Sequence, residues 1–245
     1  KKPYDLSFSI TPFVNNDPAG SLLSWHGWSL GNRQTLWTER RALPSFIALR
    51  PGNALASQAK KSDPFLEVDS RIGLHSQASI KFHDKGELSA GLYDNNAAPF
   101  VVEHGQYAWQ TRFFHLSGKW QLPNGIQLSG QYLSGDTLMQ NPDKIDMVNN
   151  DYRSAYLTLS KRWQLHRVTG RLEEFSVIDN DVTIGDDNTE YGKAVTVNYT
   201  YRIKKPLFLS VEYNWLDSYR PARAYLNQPI SLTERQWQLA ARYFF

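Results

Sequence analysis

The chain has 245 residues, enough for one large domain or two small ones. Its net charge of +3 is small and its charges of both signs are interspersed, which argues against a nucleic-acid-binding protein. The sequence contains no cysteine, which excludes disulfide bonds and thiolate metal sites. It also has no run of the roughly 18 to 20 apolar residues that a transmembrane helix requires.

The hydropathy and the aromatic content are compatible with two classes of β protein. The mean hydropathy of −0.52 is ordinary for a soluble protein, but a strand that crosses a membrane needs only about 9 to 11 residues, half of which face away from lipid. Aromatic residues make up 13% of the chain, and such residues form the aromatic belts of membrane β proteins. The alternative is a soluble, aromatic-rich protein such as a carbohydrate-binding sandwich.

The first residues predict a strand. Apolar side chains from Tyr4 to Ile10 alternate with polar ones and predict an amphipathic strand that ends near Pro12, because side chains alternate across a strand. The chain begins Lys1-Lys2-Pro3 without an apolar leader, which we interpret as a processed or truncated product.

The next stretch, residues 15–71, has no regular pattern. It opens with turn-forming residues at 15–20, and a connection of this length is uncommon unless it is functional or contains elements of its own. We predict a long loop or plug-like excursion here, with Arg40 and Arg41 as candidates for a constriction. The alternative is a further strand from Leu22 to Trp28.

From Ile72 onward the alternation is regular and predicts four hairpins and a closing strand. The turns within the hairpins are short and lie near residues 83–86, 123–125, 164–167 and 202–206. The second of them contains Asn124-Gly125, the strongest short-range signal for a hairpin.

The connections between the hairpins are longer and polar. They lie near residues 94–106, 134–151, 179–190 and 217–232. Short turns at one end of a sheet and long loops at the other are the asymmetry of bacterial outer-membrane barrels. With residues 15–71 as one excursion, the strands number about ten, an even number as such barrels require. A strand at Leu22–Trp28 would make the number odd and would require another strand upstream.

The closing strand carries the first resemblance to a known family. Its alternating apolar face includes Trp237, Leu239, Tyr243 and Phe245. A final strand of this kind, ending in Phe with Tyr two residues earlier, resembles the last strand of Gram-negative outer-membrane β-barrels. The resemblance implies an all-β, antiparallel up-and-down transmembrane barrel of about 10 to 12 strands, formed by residues 1–245 as a single domain in the bacterial outer membrane. It also implies that these four residues are the signal read by the barrel-assembly machinery.

A second resemblance lies in Leu92-Tyr93-Asp94-Asn95-Asn96 and in residues 105–113. Both segments are similar to a group of porin-like proteobacterial outer-membrane proteins, and the similarity extends over most of the sequence from Asn16 onward. Proteins of that group are longer at the N-terminus. The resemblance implies a porin-like channel for passive diffusion of small polar solutes. The alternatives are a closed barrel that is a structural or docking component of an envelope complex, and a lipid-modifying outer-membrane enzyme.

Every second residue of the predicted strands points away from the lipid face. These positions predict a mixed, somewhat basic lining, either of a hydrated lumen or of a narrow, blocked interior. The pore-lining candidates are Lys81, His115, Lys119, Gln131, Arg162, Arg171, Glu212, Asn214 and Arg242. Arg220 and Arg223 are further candidates for a constriction, and the alternative is that they contact anionic headgroups or acidic loops.

One motif raises the question of catalysis. His115-Leu116-Ser117 resembles the His-x-Ser of outer-membrane lipid A deacylases, and a serine nucleophile needs a base within hydrogen-bond reach. However, Gly118 stands where those enzymes have Asn, and the pair faces the predicted lumen. We therefore predict no catalytic residue, no enzymatic activity and no cofactor.

An acidic loop raises the question of metal binding. Asp179, Asp181, Asp187 and Glu190 have spacings of a calcium loop, but the required glycine comes one position late. We predict no metal site and keep these four residues as weak Ca²⁺ candidates. The expected partners are outer-membrane lipid and lipopolysaccharide, the assembly machinery during biogenesis, and an envelope protein or a second copy of the chain, but no nucleic acid.

Overall fold

The main element of the computed structural model, which describes residues 3–28, 36 and 38–245, is a ten-stranded antiparallel sheet. Each strand pairs with its neighbours in chain order. The strands are β1 (Tyr4–Phe13), β2 (Gly73–Phe82), β3 (Gly86–Asp94), β4 (Gln110–Leu122), β5 (Ile126–Gln140), β6 (Asp146–Trp163), β7 (His166–Asp179), β8 (Glu190–Lys204), β9 (Leu207–Tyr219) and β10 (Ser231–Tyr243).

Short elements occupy the connections. Between β1 and β2 lie a 3₁₀ turn (Asp17–Ala19), helix α1 (Gly20–His26) and a pair of two-residue strands (Arg41–Ala42 and Lys61–Ser62). The remaining short elements are the pair Val102–Glu103 and Gln106–Tyr107 and the 3₁₀ turns Pro123–Gly125 and Pro221–Leu226. None of the helices in the described ranges is long and apolar enough to span a membrane.

The short turns follow from residues that tolerate left-handed backbone. In the β4–β5 turn, Asn124 and Gly125 have φ values of 61° and 71°, which Asn and Gly adopt more readily than other residues. The hairpin predicted there is therefore confirmed, with Leu122 opposite Ile126 at its base.

The outer face of the sheet is apolar and exposed. On β6, Leu157 is 52% exposed, whereas Tyr152, five positions away and so on the other face, is 6% exposed. The same alternation leaves large apolar side chains exposed along the other strands, including Leu6, Phe8, Leu92, Leu116, Leu172 and Leu239. A sheet with an exposed apolar face needs an apolar solvent, and a lipid bilayer supplies one.

The loop ends of the strands converge on helix α1. A helix of seven residues is only about 10 Å long, yet Ser24 accepts a hydrogen bond from Asn150 on β6 (2.7 Å) and the indole of Trp25 donates one to Asp186 in the β7–β8 connection (3.1 Å). Arg220, directly after β9, donates to the Ser24 carbonyl (3.1 Å). Because one short helix reaches so many strands, the sheet must curl around it.

A hydrogen-bonded ring is not completed by this sheet. Among the described residues, β1 and β10 are its two edges and no ladder joins them. Each strand runs opposite to the one before it, so the first and the tenth strand also run in opposite directions. An antiparallel ladder between β1 and β10 would require this orientation. The antiparallel all-β fold is confirmed, whereas the closed cylinder and its final strand number stay predictions.

Two predictions about the connections are wrong. Residues 22–28 form no strand, because α1 takes up Gly20–His26 and packs its buried side of Ser21, Ser24 and Trp25 against the loops. Residues 134–151 are not a long loop, because β5 and β6 continue to Gln140 and from Asp146 with only a short turn between them. In this stretch β5 and β6 carry polar residues on both faces, which is compatible with a hairpin that projects beyond the lipid into water.

The buried apolar core lies at the loop end of the sheet. It joins α1 to the long connections and to the ends of β5 and β6, and its largest members are Trp25, Phe46, Leu55, Trp109, Met139 and Val148. The rings of Trp25 and Trp109 meet edge to face, with centroids 4.9 Å apart.

The two faces of β6 predict opposite responses to a charge. Leu157→Lys puts an ammonium on the outer face halfway along the strand, where it should cost about 2 to 4 kcal/mol of folding free energy in a bilayer. Thr158→Lys puts the same charge on the inner face and should cost much less. Urea titration of folding into lipid vesicles measures both, and equal costs for the two variants would contradict the membrane orientation.

Candidate functional site

The predicted lining residues share one face of the sheet. All nine occupy positions in register with the face that carries Tyr152 and Phe175. They are Lys81, His115, Lys119, Gln131, Arg162, Arg171, Glu212, Asn214 and Arg242. Since the sheet curls around α1, we call this the inner face.

At mid-height the inner face carries a network of polar side chains. Glu212 accepts hydrogen bonds from Asn198 and Asn214 (both 3.1 Å), and Arg171 forms an ion pair with Glu173 (2.7 Å). The Arg171 guanidinium also lies 3.9 Å from the ring centre of Tyr156. This zone therefore presents hydrogen-bonding groups with little unbalanced charge.

At the turn end the inner face becomes strongly basic. Arg162, Arg167, Arg202 and Arg242 line one cavity of about 560 Å³, and no acidic side chain in the described part of the chain lines it with them. Arg162 and Arg167 stand directly opposite each other on β6 and β7. Like charges in that relation destabilise a sheet.

Sequence reasoning found half of this cluster. Arg162 and Arg242 were expected to line the interior, whereas Arg167 and Arg202 were assigned to the turns that they border. The signal was available, because Arg167 is an even number of residues from Arg171, and Arg202 from Asn198, so each shares the inner face.

The facing wall is balanced. Asp5, Lys81, Glu87 and Lys119 stand side by side in register on β1, β2, β3 and β4. Two carboxylates alternate with two ammonium groups and offset their charge, so the unbalanced positive potential belongs to the wall formed by β6 to β10.

An aromatic layer separates the basic cavity from the loop-end core. Tyr93 stacks between Phe13 and Phe113, with ring centroids 5.0 Å and 4.6 Å apart. Across the interior, Trp28 stacks on Phe175 at 6.1 Å. These rings lie on the inner face just below α1.

Arg220 holds α1 in place rather than forming a constriction. It is 8% exposed and its guanidinium donates to the carbonyl oxygens of Ser24 and Trp25, both at 3.1 Å. These are carbonyls of the last turn of α1, which a cation stabilises. Its Nε also lies 3.7 Å from the buried carboxylate of Glu190.

The other three constriction candidates are also engaged elsewhere. Arg223 is buried and donates to the carbonyls of Ser218 and Ile230 at 3.0 and 3.2 Å. Arg40 forms an ion pair with Asp63 at 2.6 Å, and Arg41 belongs to a two-residue strand. None of the four lines the basic cavity.

Buried acids at the loop end have shifted titrations. Asp186 is 1% exposed and burial raises the pKa of its carboxyl well above the usual value. Burial, with the nearby charges of Asp69 and Glu67, raises the pKa of Asp17 to about 6, whereas burial lowers the pKa of His26 to about 4. Among the described residues, one group of three His, Asp or Glu side chains has its ligand atoms close enough together to bind a single metal ion. It consists of Asp17, Glu67 and Asp69.

These shifts predict a pH-dependent effect of Asp17→Asn. A raised carboxyl pKa means that stability is full below about pH 4 and is lost as the pH rises through about 6. The amide of the variant side chain does not ionise, so the variant does not lose stability as the pH rises. It should be more stable than the native chain by about 1 to 3 kcal/mol at pH 8 and equal to it at pH 4. Urea unfolding at both pH values measures the difference, with Asp143→Asn in an exposed turn as the control. A variant that is less stable at pH 8 would contradict the prediction.

The His-x-Ser motif does not form a catalytic pair. His115 Nε2 lies 3.2 Å from Nε2 of His75, and the Ser117 hydroxyl lies 2.6 Å from that of Ser89. His115 thus reaches across β3 to β2, whereas Ser117 bonds to a residue of β3 itself.

The four calcium candidates are not brought together as one ligand group. Asp179 and Asp181 accept backbone N–H groups of Asn188 and Thr183, both at 2.8 Å, which orders the β7–β8 connection. Glu190 accepts the Trp28 N–H at 2.9 Å and faces Arg220. The predicted assembly signal, Trp237, Leu239, Tyr243 and Phe245, lies on the exposed outer face of edge strand β10 and just beyond its end.

No protein-family model and no curated protein matches the chain. Among solved structures, it is similar to OmpTdeltaL8, a loop L8 deletion mutant of OmpT, an outer membrane protein of Vibrio cholerae. The sequence identity is 12%, the TM-score is 0.51, and the match covers 96% of this chain and 74% of that one. At this identity the similarity shows the fold.

This finding corrects one prediction. We expected the chain not to be an enzyme, but its fold is that of an outer membrane protein, and a fold of this kind carries unrelated functions on its sites. Enzymatic activity is thus open for this fold, and the exclusion of catalysis does not stand.

The location in the cell follows from two observations. The exposed outer face of the sheet is apolar, and the fold is shared with a bacterial outer membrane protein. The predicted location is confirmed: the chain has the fold of an outer-membrane β-barrel protein and resides in the bacterial outer membrane.

Proposed function

We propose that the chain is a porin-like channel for small anionic solutes, with the described part of segment 15–71 as its plug. The observation that carries the proposal is the cavity lined by Arg162, Arg167, Arg202 and Arg242, with no carboxylate among the described residues that line it. A concave surface lined by one sign of charge concentrates ions of the opposite sign. A ring or wall of arginines is the lining expected for anion passage.

The loop end supports a channel that is closed in this conformation. The aromatic layer and the Trp25–Trp109 core lie between the basic cavity and the outside. Passage would require α1 and its neighbours to move as a unit. Their attachment by a few polar contacts to Asn150, Asp186 and Arg220 defines where that movement would begin.

Reconstitution into planar bilayers tests the proposal. The native chain should conduct rarely, and a variant whose plug is detached should conduct steadily, with chloride preferred over potassium in a salt gradient. Heat-modifiable migration on gels verifies that both are folded. Two folded proteins that never conduct would rule out the channel.

A second candidate is a closed barrel that docks to another envelope component. It is favoured by the burial of the loop-end core, in which Trp25, Phe46 and Trp109 are at most 1% exposed. It predicts a non-conducting protein even after detachment of the plug, together with a partner that co-purifies from detergent.

A further inference from the structure

We propose that His75 and His115 form a binding site for a borderline divalent transition-metal ion, Zn²⁺, Ni²⁺ or Cu²⁺, on the inner face. The two residues lie on β2 and β4, on either side of β3. Their Nε2 atoms are 3.2 Å apart. The site is independent of the proposed channel, because ion binding needs no conduction.

The two rings meet nitrogen to nitrogen. Their centroids are 5.5 Å apart and their planes lie within 21° of each other. With the Nε2 atoms only 3.2 Å apart, the rings approach edge to edge, and both in-plane lone-pair directions point into the gap. A neutral pair holds one proton there, donated by one nitrogen and accepted by the other.

The intervening strand leaves room for this approach. Gly91 lies opposite His115 in the register, and the ring of His115 crosses over it to reach β2. A side chain at that position would overlap His115, because a Cβ atom on Gly91 would coincide with the space of Nε2 and lie 2.8 Å from Cε1. Any residue other than glycine would therefore separate the two histidines.

The separation of the nitrogens suits a shared ion. Zinc–imidazole bonds are about 2.0 to 2.1 Å long, so two nitrogens in tetrahedral positions on one ion lie about 3.3 Å apart. Rotation of each ring by roughly 35° would turn both lone pairs toward a common ion, which then replaces the shared proton. Imidazole selects Zn²⁺, Ni²⁺ and Cu²⁺, whereas Mg²⁺ and Ca²⁺ prefer oxygen ligands.

The surroundings favour an open coordination sphere. His115 is 8% exposed and rests beside the ring of Phe113, which fixes its position. The polar residues Gln77 and Ser89 are the inner-face neighbours of this pair toward the turn end. Two protein nitrogens plus water from a hydrated interior give a site that binds an ion and keeps positions for exchange.

Calorimetric titration of the untagged, EDTA-stripped protein in detergent tests the site. ZnCl₂ and NiCl₂ should each titrate one site per chain, while MgCl₂ and CaCl₂ give no heat at the same concentrations. His75→Gln and His115→Gln should each weaken binding by at least about tenfold. The matched control is His166→Gln, since His166 stacks on Trp163 and Tyr201 outside this pair and should leave binding unchanged.

Gly91→Ala gives a test that keeps both ligands. It should weaken binding as much as loss of a histidine, because the methyl group displaces the His115 ring. Electron paramagnetic resonance of the native chain with one equivalent of Cu²⁺ should show hyperfine coupling to two imidazole nitrogens, and this measurement decides the matter if the variants do not fold. Absence of Zn²⁺ binding by the native chain, undiminished binding by both histidine variants, or a Cu²⁺ spectrum without imidazole nitrogen would overturn the proposal.

Discussion

Arg220→Ala is expected to detach α1 from the loop end of the sheet. Arg220 has two kinds of buried partner. It forms an ion pair with the carboxylate of Glu190, and it donates hydrogen bonds to the Ser24 and Trp25 carbonyls at the end of α1. Without the guanidinium, the buried carboxylate of Glu190 loses its ion-pair partner, and the two carbonyls lose a donor. Breaking a buried ion pair by removing one member costs about 3 to 5 kcal/mol, which should loosen the polar attachment of α1 and leave the packing of Trp25 as its main remaining contact.

Two measurements report the detachment. Limited proteolysis should cut the 15–71 segment of the variant much faster than that of the native chain, while the strands stay protected. Steady conductance in planar bilayers should appear with the same variant. Arg112→Ala is the matched control, because the Arg112–Asp136 pair is partly exposed and such pairs contribute about 1 kcal/mol or less. Unchanged proteolysis and unchanged conductance in Arg220→Ala would show that α1 is held by other contacts.

The companion variant separates the two roles of Arg220. In Arg220→Ala with Glu190→Gln, both members of the buried ion pair are neutral, and the glutamine oxygen can still accept the Trp28 N–H that Glu190 accepts in the native chain. Stability should recover in part, and the single variant Glu190→Gln completes the double-mutant cycle that measures the coupling between the two side chains. No recovery would mean that the lost hydrogen bonds to α1 carry the effect.

The sheet was predictable because its strands require alternating side chains, a pattern that is visible in short stretches of sequence. Alternation with a period of two residues specifies which face meets lipid, and a one-residue slip would turn all of that face inward, so Tyr4–Ile10 and the later runs fix both strands and register. Asn124-Gly125 marked a turn from two residues alone. The loop between β5 and β6 was overestimated because polarity indicated a loop, although strands that project into water can be polar on both faces.

The site was less predictable because its contacts join distant segments. Arg220 meets Ser24 across 196 residues, and His75 meets His115 only because Gly91 lies between them in the folded sheet. Nothing local distinguishes these residues from solvated ones. The helical form of residues 20–26 was likewise unpredictable, because seven residues are too few to show a helical period, and packing of Trp25 into the core decides the conformation.

Replacing the four turn-end arginines is expected to remove the charge preference of the channel. In an Arg220→Ala background, Arg162, Arg167, Arg202 and Arg242 changed together to Gln should bring the chloride-to-potassium permeability ratio close to one, and changed to Glu should invert it. The reason is that the cavity has no carboxylate of its own to balance them, so its potential depends on these four charges. The zero-current potential in a KCl gradient measures the ratio.

The control and the stability of the variant make this prediction specific. Arg171→Gln removes a charge of the same kind that is already neutralised by Glu173, and it should change the ratio far less than the fourfold variant. The fourfold Gln variant should also fold at least as stably at low salt, since it removes the repulsion between Arg162 and Arg167 across the β6–β7 ladder. A structural cluster would behave in the opposite way, because its loss would lower stability and leave the permeability ratio unchanged. Four charges that lower the stability of the sheet and set the ion preference would be explained by a role as a channel lining and not by a structural role.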